Sequence, residues 1–246
     1  MNALKVAFFT KIFAFNKVSH RHLVELKLPA YGIQGRLLAW IKEFLTDRFQ
    51  RVVLGQTESA WLAVSSGVPQ GSVLGPLLFI VFINDLVINI SSFPKLFADD
   101  TKLLGIIKDD NCLAIVQKDL DLVSHWCKTW PMELNESKCK VMHLGKKNPN
   151  QTYFINGVAL ASTDLEKDLG VWISSDLKWA HHVDSAVCAA NSVWGQIRRS
   201  FRYIDNFSFK LLFQSLVRPH LEYGACVWNP HLAKDIVKLE GVQRRE

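Results

Sequence analysis

"KLFADDTKLL", residues 95–104, sets one apolar run against another with two aspartates between them. Runs of this length around two polar residues predict an antiparallel hairpin with Asp99 and Asp100 at its tip, although an Asp-Asp tip lacks the glycine that such turns favour. Adjacent carboxylates repel each other. Buried without compensation, at least one takes up a proton; beside a divalent cation both stay ionised and serve as oxygen ligands. Magnesium is the natural candidate. Two such ions held about 3.5 to 4 Å apart are an arrangement used for phosphoryl transfer, and they need a further carboxylate from a neighbouring strand. A bare Asp-Asp dipeptide is more simply a solvated turn, so the reading depends on its surroundings.

Some thirty residues upstream stands "GVPQGSVLGP", residues 67–76. Gly67 and Gly71 let the backbone turn and approach a ligand, Pro69 stiffens the approach, and Gln70 places an amide donor and acceptor beside it. Such a loop suits contact with a nucleotide. Pro76 falls in the first turn of the helix that follows, and "LLFIVFINDLVINI" (77–90) is apolar almost all round, which predicts burial on several sides.

Outward from these pieces the pattern is mixed α and β. Leu37, Leu38, Ile41, Phe44 and Leu45 give residues 34–49 the spacing of an amphipathic helix. "QRVVLGQ" and "AWLAVSS" read as two short strands about a turn at Thr57-Glu58-Ser59. Leu113, Val116, Leu120, Val123, Cys127 and Trp130 predict a helix over 111–130, stopped by Pro131. "KVMHLG", "TYFING" and "DLGVWIS" read as strands, with Asn156-Gly157 as a hairpin turn. From residue 179 onward the pattern is helical, and a subdomain boundary is expected near Ser175.

The chain has 246 residues, 49% of them hydrophobic, enough for a substantial core. Lysine and arginine total 29 against 23 acids, a net charge of +6 that suits an anionic partner such as nucleic acid. Five scattered cysteines with no CxxC pair argue against a zinc ribbon or a secreted disulfide framework and for a reduced intracellular setting, nucleus or cytoplasm. The most apolar run, residues 73–83, is too short to span a bilayer, so no membrane partner is expected. "IRRSFRY" (197–203) places Arg198, Arg199 and Arg202 around Phe201 and Tyr203. These cations either follow a nucleic-acid backbone or form a solvated helix face with Phe201 in the core. Adjacent His181 and His182 on a helix point apart, which favours surface and packing roles over a metal site. The eight tryptophans are expected in the core.

Taken together, Pro69-Gln70-Gly71, the buried helix and Phe97-Ala98-Asp99-Asp100 resemble the reverse transcriptases of non-LTR retrotransposons, particularly the jockey-like clade. "ELNESKCKVMHLG", "DLGVWISSDLKW" and "LVRPHLEYGACVW" resemble their later blocks. The resemblance implies an α+β fold: a right-hand polymerase palm, an antiparallel sheet with packed helices, over residues 1–175 with its fingers largely missing, then a helical thumb or connection remnant over 176–246. It implies RNA-directed DNA synthesis with an RNA template, a DNA primer and deoxynucleoside triphosphates. Asp99 and Asp100 become catalytic ligands of Mg2+, or of Mn2+. Gln70 and Gly71 lie against the nucleotide, Phe15 screens the sugar 2′ group, and Lys138 sits near the triphosphate.

One element departs. The family's first metal-binding strand reads D-F-S-K-A-F-D-K-V-S-H, and here "TKIFAFNKVSH" (10–20) matches at Ala14, Phe15, Lys17, Val18, Ser19 and His20. The essential aspartate becomes Thr10, or Phe8 in the other frame, and Asn16 replaces a second acid. The first acidic residue of the chain is Glu25. A truncated element copy with impaired polymerase activity is therefore expected; the alternative is a catalytically inactive RNA- or DNA-binding fragment, or a relic.

Overall fold

The structure is a computed structural model describing residues 4–13, 15–145 and 148–244; Ala14 of the matched strand lies outside them. The chain forms two compact units, Met1–Ser162 and Thr163–Glu246.

The first unit opens with a ten-residue strand, β1 (Leu4–Phe13). Two helical turns, α1 (His20–His22) and α2 (Leu28–Ala30), flank a π-helical turn at Leu23–Lys27. Pro29 explains the widening, since proline has no N–H for a carbonyl four residues back and its ring crowds that carbonyl. Lys27, in the widened turn, is buried; its ammonium pairs with Asp85 and lies 3.6 Å from the ring centre of Trp130.

The amphipathic segment forms α3 (Gly35–Leu45), burying Ile41 and Leu45. Two nested hairpins follow, β2 (Phe49–Gln50) paired with β5 (Leu62–Ala63) and, inside them, β3 (Val53–Leu54) paired with β4 (Thr57–Glu58). The turn therefore lies at Gly55-Gln56, where Gly55 takes φ +62°, and Thr57-Glu58 is strand rather than turn. Next comes α4 (Leu74–Ile83), which buries Leu78, Phe79, Phe82 and Ile83. Leu77 and Ile80 stay more than half exposed, so one face of this helix is open despite its apolar sequence.

The hairpin of β6 (Phe93–Phe97) and β7 (Asp100–Ile107) leads into α5 (Asp110–Thr129). Asp109 caps this helix, accepting from the Cys112 N–H at 2.9 Å. Gly105 lets α5 reach the sheet: a Cβ there would stand 2.6 Å from Cγ2 of Val116. The unit closes with β8 (Glu133–Leu134), β9 (Lys140–Leu144), the hairpin of β10 (Phe154–Ile155) and β11 (Val158–Ala159), and β12 (Ala161–Ser162).

The main sheet runs β12-β9-β1-β7-β6, with β8 joined to the far end of β1. An all-antiparallel sheet was expected, but β12 pairs with β9 in parallel, so the sheet is mixed. Its buried face carries Val6, Phe8 and Leu103 against Phe79, Phe82, Val116 and Leu120. Each such side chain contributes about 2 kcal/mol by leaving water.

The second unit begins with the hairpin of β13 (Leu165–Asp168) and β14 (Val171–Ser174), which places the division between units ahead of Ser175. The hairpin is bonded to later elements: Tyr223 Oη donates to the Leu169 carbonyl at 3.0 Å, and the Trp172 N–H donates to His182 Nδ1 at 3.2 Å. The helices are α6 (Ala180–Ser200), α7 (Asn206–Leu212), α8 (Arg218–Glu222), α9 (Ala225–Trp228) and α10 (Ala233–Gln243). A second π-helical turn, Phe213–Val217, precedes Pro219 as the first precedes Pro29. His182 is buried with its ring 4.5 Å from that of Trp228, a packing role as expected. Tryptophans are not all core residues: Trp40 and Trp61 are more than half exposed.

Candidate active site

The hairpin tip differs from the expected one. Phe97 pairs with Asp100, so the two turn residues are Ala98 and Asp99, and Asp100 is the first residue of β7. Ala98 takes φ +51°. A positive φ at the first turn residue is a conformation that matches strand twist but normally calls for glycine. Both aspartates are partly exposed and stand on consecutive residues of this tight corner.

Beside them runs β1. Its register pairs Thr10 with Thr101 and Lys11 with Asp100. Cross-strand partners share a face of a sheet, so Thr10 falls with Thr101 on the face of Phe8 and Leu103, alternate to the position of Asp100. Thr10 is 2% exposed, and its hydroxyl donates to the Thr101 carbonyl at 2.8 Å. The Thr101 hydroxyl is buried without a hydrogen-bond partner. Among the described residues no group of three or more His, Cys, Asp or Glu side chains could hold a metal ion. A pair of divalent ions needs several anionic oxygen donors. Here the tip offers two adjacent carboxylates, and position 10 of the neighbouring strand holds a buried neutral hydroxyl already committed as a donor, so the set does not fit such a pair.

The glutamine loop is bonded to the residues that follow β1. The Val68 N–H donates to the Phe15 carbonyl and the Gly67 N–H to the Val18 carbonyl, both at 2.8 Å. Ser66 Oγ donates to the Asn16 carbonyl at 3.0 Å. Gly67 takes φ +89°, and a Cβ there would stand 2.8 Å from the Asn16 Cα, so the close approach requires glycine. Ser72 Oγ donates to the Pro69 carbonyl and accepts from the Gly75 N–H, pinning the loop to the start of α4. The Phe15 ring stacks on Phe79 at 4.4 Å. Phe15, Gln70 and Gly71 line one cavity of about 250 Å³ with Pro69 and Pro76. Gln70 also lines a larger cavity of about 640 Å³ with Asn16, His20, Arg48 and Gln50. His20 Nε2 contacts the Gly67 carbonyl at 2.6 Å and donates to it. Neither His20 nor Arg48 carries an expected role from sequence; their signal is position, His20 at the end of the matched stretch and Arg48 next to the exposed hairpin.

Lys138 closes a short 3-10 turn, Glu136–Lys138, directly after β8. Because β8 pairs with Ile12 and Phe13 while Asp100 pairs with Lys11, the lysine turn and the aspartates lie at the same end of β1. Lys17 joins that end by an ion pair with Glu133 at 2.8 Å. Arg198 and Arg199 occupy the last turn of α6 in the second unit, with Arg202 just beyond, all exposed. Phe201 is 47% exposed and Tyr203 97%, so Phe201 is not a core residue.

Residues 12–190 match the family described as reverse transcriptase (RNA-dependent DNA polymerase). The chain belongs to the reverse transcriptase family. It is 26% identical over 247 residues to the RNA-directed DNA polymerase from mobile element jockey of Drosophila melanogaster, covering 94% of this chain and 26% of that protein. The probable RNA-directed DNA polymerase from transposon X-element of Drosophila melanogaster is 25% identical over 256 residues, with the same shares covered. The chain thus spans about a quarter of the length of these curated relatives. The apo telomerase from Candida tropicalis, truncated from its C-terminal domain, shares the fold with a TM-score of 0.51 at 10% identity, over 70% of this chain and 34% of that one. In this reverse transcriptase chain the Pro69-Gln70-Gly71 loop adjoins the residues that follow β1, Asp100 pairs with β1 itself, and neither Thr10 nor Phe8 is the acid that the resemblance led one to expect.

Proposed function

We propose that the chain is the palm and the start of the thumb of a non-LTR retrotransposon reverse transcriptase, the first unit serving as palm and the second as thumb, and that its nucleotidyl transfer runs at trace level at most. The parent reaction is attack of a DNA primer 3′-hydroxyl on a deoxynucleoside triphosphate over an RNA template, with release of pyrophosphate. Phe15, Gln70 and Gly71 take the sugar and base in the cavity they line. Lys138 takes the triphosphate, and Asp99 and Asp100 are the two carboxylates that would hold Mg2+ or Mn2+, too few to keep a pair of ions without a further acid. Arg198, Arg199 and Arg202 offer cations to the nucleic-acid backbone beside two exposed aromatic rings.

The single observation that carries the low activity is the buried Thr10 hydroxyl bonded to Thr101. Loss of even one neutral donor to a transition state costs about 2.7 to 4 kcal/mol, and loss of an anion between two cations costs more. Primer extension on an RNA template, with magnesium and then manganese, compares this chain with Thr10→Asp. Synthesis by the variant and little by the parent is expected; robust extension by the parent refutes the reading.

The same threonine favours a second reading, a nucleic-acid-binding protein without catalysis. The net charge of +6 supports binding to an anionic strand. Salt-dependent retention of a primer-template without extension supports this reading, and no retention excludes it. No helix among the described residues is long and apolar enough to cross a membrane, and the working compartment is proposed as nucleus or cytoplasm.

A further inference from the structure

The turn that carries Lys138 is held by a side chain far along the chain. Asn156 Nδ2 donates to Glu136 Oε1 at 2.7 Å, and Asn156 Oδ1 accepts from Ser124 Oγ at 2.5 Å. Asn156 sits in the β10–β11 turn at φ +52°, and Ser124 is buried on α5. That hairpin is itself clamped to α5, since Gln117 Nε2 donates to the Phe154 carbonyl at 2.8 Å and Gln117 Oε1 accepts from the Phe154 N–H at 2.9 Å. Within the turn, the Lys138 N–H donates to the Asn135 carbonyl at 3.0 Å, and Cys139 Sγ donates to the same carbonyl at 3.2 Å. The chain of contacts therefore runs from α5, through one amide, to the three-residue turn that carries Lys138.

We propose that Asn156, through Glu136, is a positioning residue for the Lys138 ammonium, and so sets how well this chain grips the phosphates of a nucleoside triphosphate. The proposal rests on the reading of Lys138 as the triphosphate lysine. Its physical basis is that a flexible ammonium binds an anion well only when its backbone anchor is fixed, because every degree of freedom left open must be frozen on binding. The amide suits the place: its two ends give to the carboxylate and take from the hydroxyl, which neither a carboxylate nor an aliphatic side chain does alone.

The test uses the whole chain and needs no polymerase activity. Lys138 is labelled with pyridoxal 5′-phosphate and borohydride, mapped by peptide mass, and its protection by dGTP is titrated. Asn156→Gly keeps the positive-φ turn and deletes the amide, and is expected to weaken protection about five-fold. Asn156→Asp alone sets two carboxylates together and weakens it as well. Asn156→Asp combined with Glu136→Gln restores an acceptor for Ser124 and a donor–acceptor pair of reversed polarity, and is expected to return protection to within about two-fold of the parent. Thermal midpoints of all variants are measured beside the labelling, so that general unfolding is separated from loss of the grip. Unchanged protection in Asn156→Gly, or failure of the reversed pair to recover, overturns the positioning role while leaving the lysine reading intact. No protection of Lys138 by dGTP in the parent overturns the lysine reading and the proposal together.

Discussion

The hydroxyl of Thr10 donates to the backbone carbonyl of Thr101, one residue past the aspartate pair. The bond spends the only polar group at position 10 on the sheet itself, and the hydroxyl of Thr101 stays buried without a partner. An aspartate at position 10 would set an anion against that carbonyl, with the Thr101 hydroxyl as its one new donor. In metal-free buffer, Thr10→Asp is therefore expected to lower stability by about 2 kcal/mol, and magnesium is expected to return part of the loss. The parent should show coincident thermal curves in EDTA and in magnesium. A parent midpoint that climbs several degrees with magnesium contradicts the missing-anion account.

Ala98 holds a positive φ at the corner of the β6–β7 hairpin. Alanine there carries about 1 to 2 kcal/mol of steric strain, against about 0.5 to 1 kcal/mol of extra chain entropy for glycine. Ala98→Gly should therefore stabilise the chain by about 0.5 kcal/mol, visible as a higher urea midpoint at unchanged slope. A lower midpoint would mean that the methyl group packs to better effect than its backbone suffers.

Lys27 and Asp85 form a pair in which the lysine is buried among Trp126, Trp130 and Phe82, and Trp126 Nε1 adds a 3.0 Å bond to Asp85 Oδ1. Burial depresses the ammonium pKa, and the bond to Asp85 opposes that depression. Lys27→Ala removes the cation, leaves the carboxylate facing aromatic rings, and should cost about 3 kcal/mol. Lys27→Met with Asp85→Asn keeps volume and the tryptophan acceptor and should recover most of it. Equilibrium denaturation of the single and double variants gives the coupling directly.

His182 accepts the Trp172 N–H at Nδ1, which requires the neutral ring on that side. Burial, reinforced by Lys167 and His181, pushes its pKa below the ordinary 6.5. As pH falls through 6.5, the unfolded chain takes up a proton that the folded ring resists, so the unfolded state gains and stability drops. The contribution is complete above 6.5 and diminishes from there toward the depressed folded value. Denaturation from pH 8 to pH 5 should show this slope, and His182→Gln, which keeps an acceptor without titrating, should flatten it. Equal slopes in the two proteins would remove His182 as the cause.

Much of this was legible because it is periodic. Two apolar runs about a polar pair located β6 and β7, 3.6-residue spacing located α3 and α5, and the Asn156-Gly157 turn fell where its residues demanded. The errors share one cause: they were decided by partners distant in sequence. Phe97 pairs with Asp100 because the whole β7 register is set by β1, which forces alanine into a corner it does not favour locally. Gly55 signalled the inner hairpin turn, yet Thr57 and Glu58 looked polar enough to be the turn themselves. Position 10 was found by motif, but which face it occupies depends on pairing with Thr101. The Asn156 relay joins residues 20 and 32 apart in sequence, and no local pattern announces it.

Because β1 has strands on both sides over half of its length, Lys5–Phe9, the segment expected to supply chemistry is also central to the sheet. Threonine suits a buried strand position, so position 10 serves the sheet whether or not it serves catalysis. A chain with the proposed trace activity is therefore expected to keep its shape and, if it holds nucleic acid as proposed, to contest that strand with an active copy.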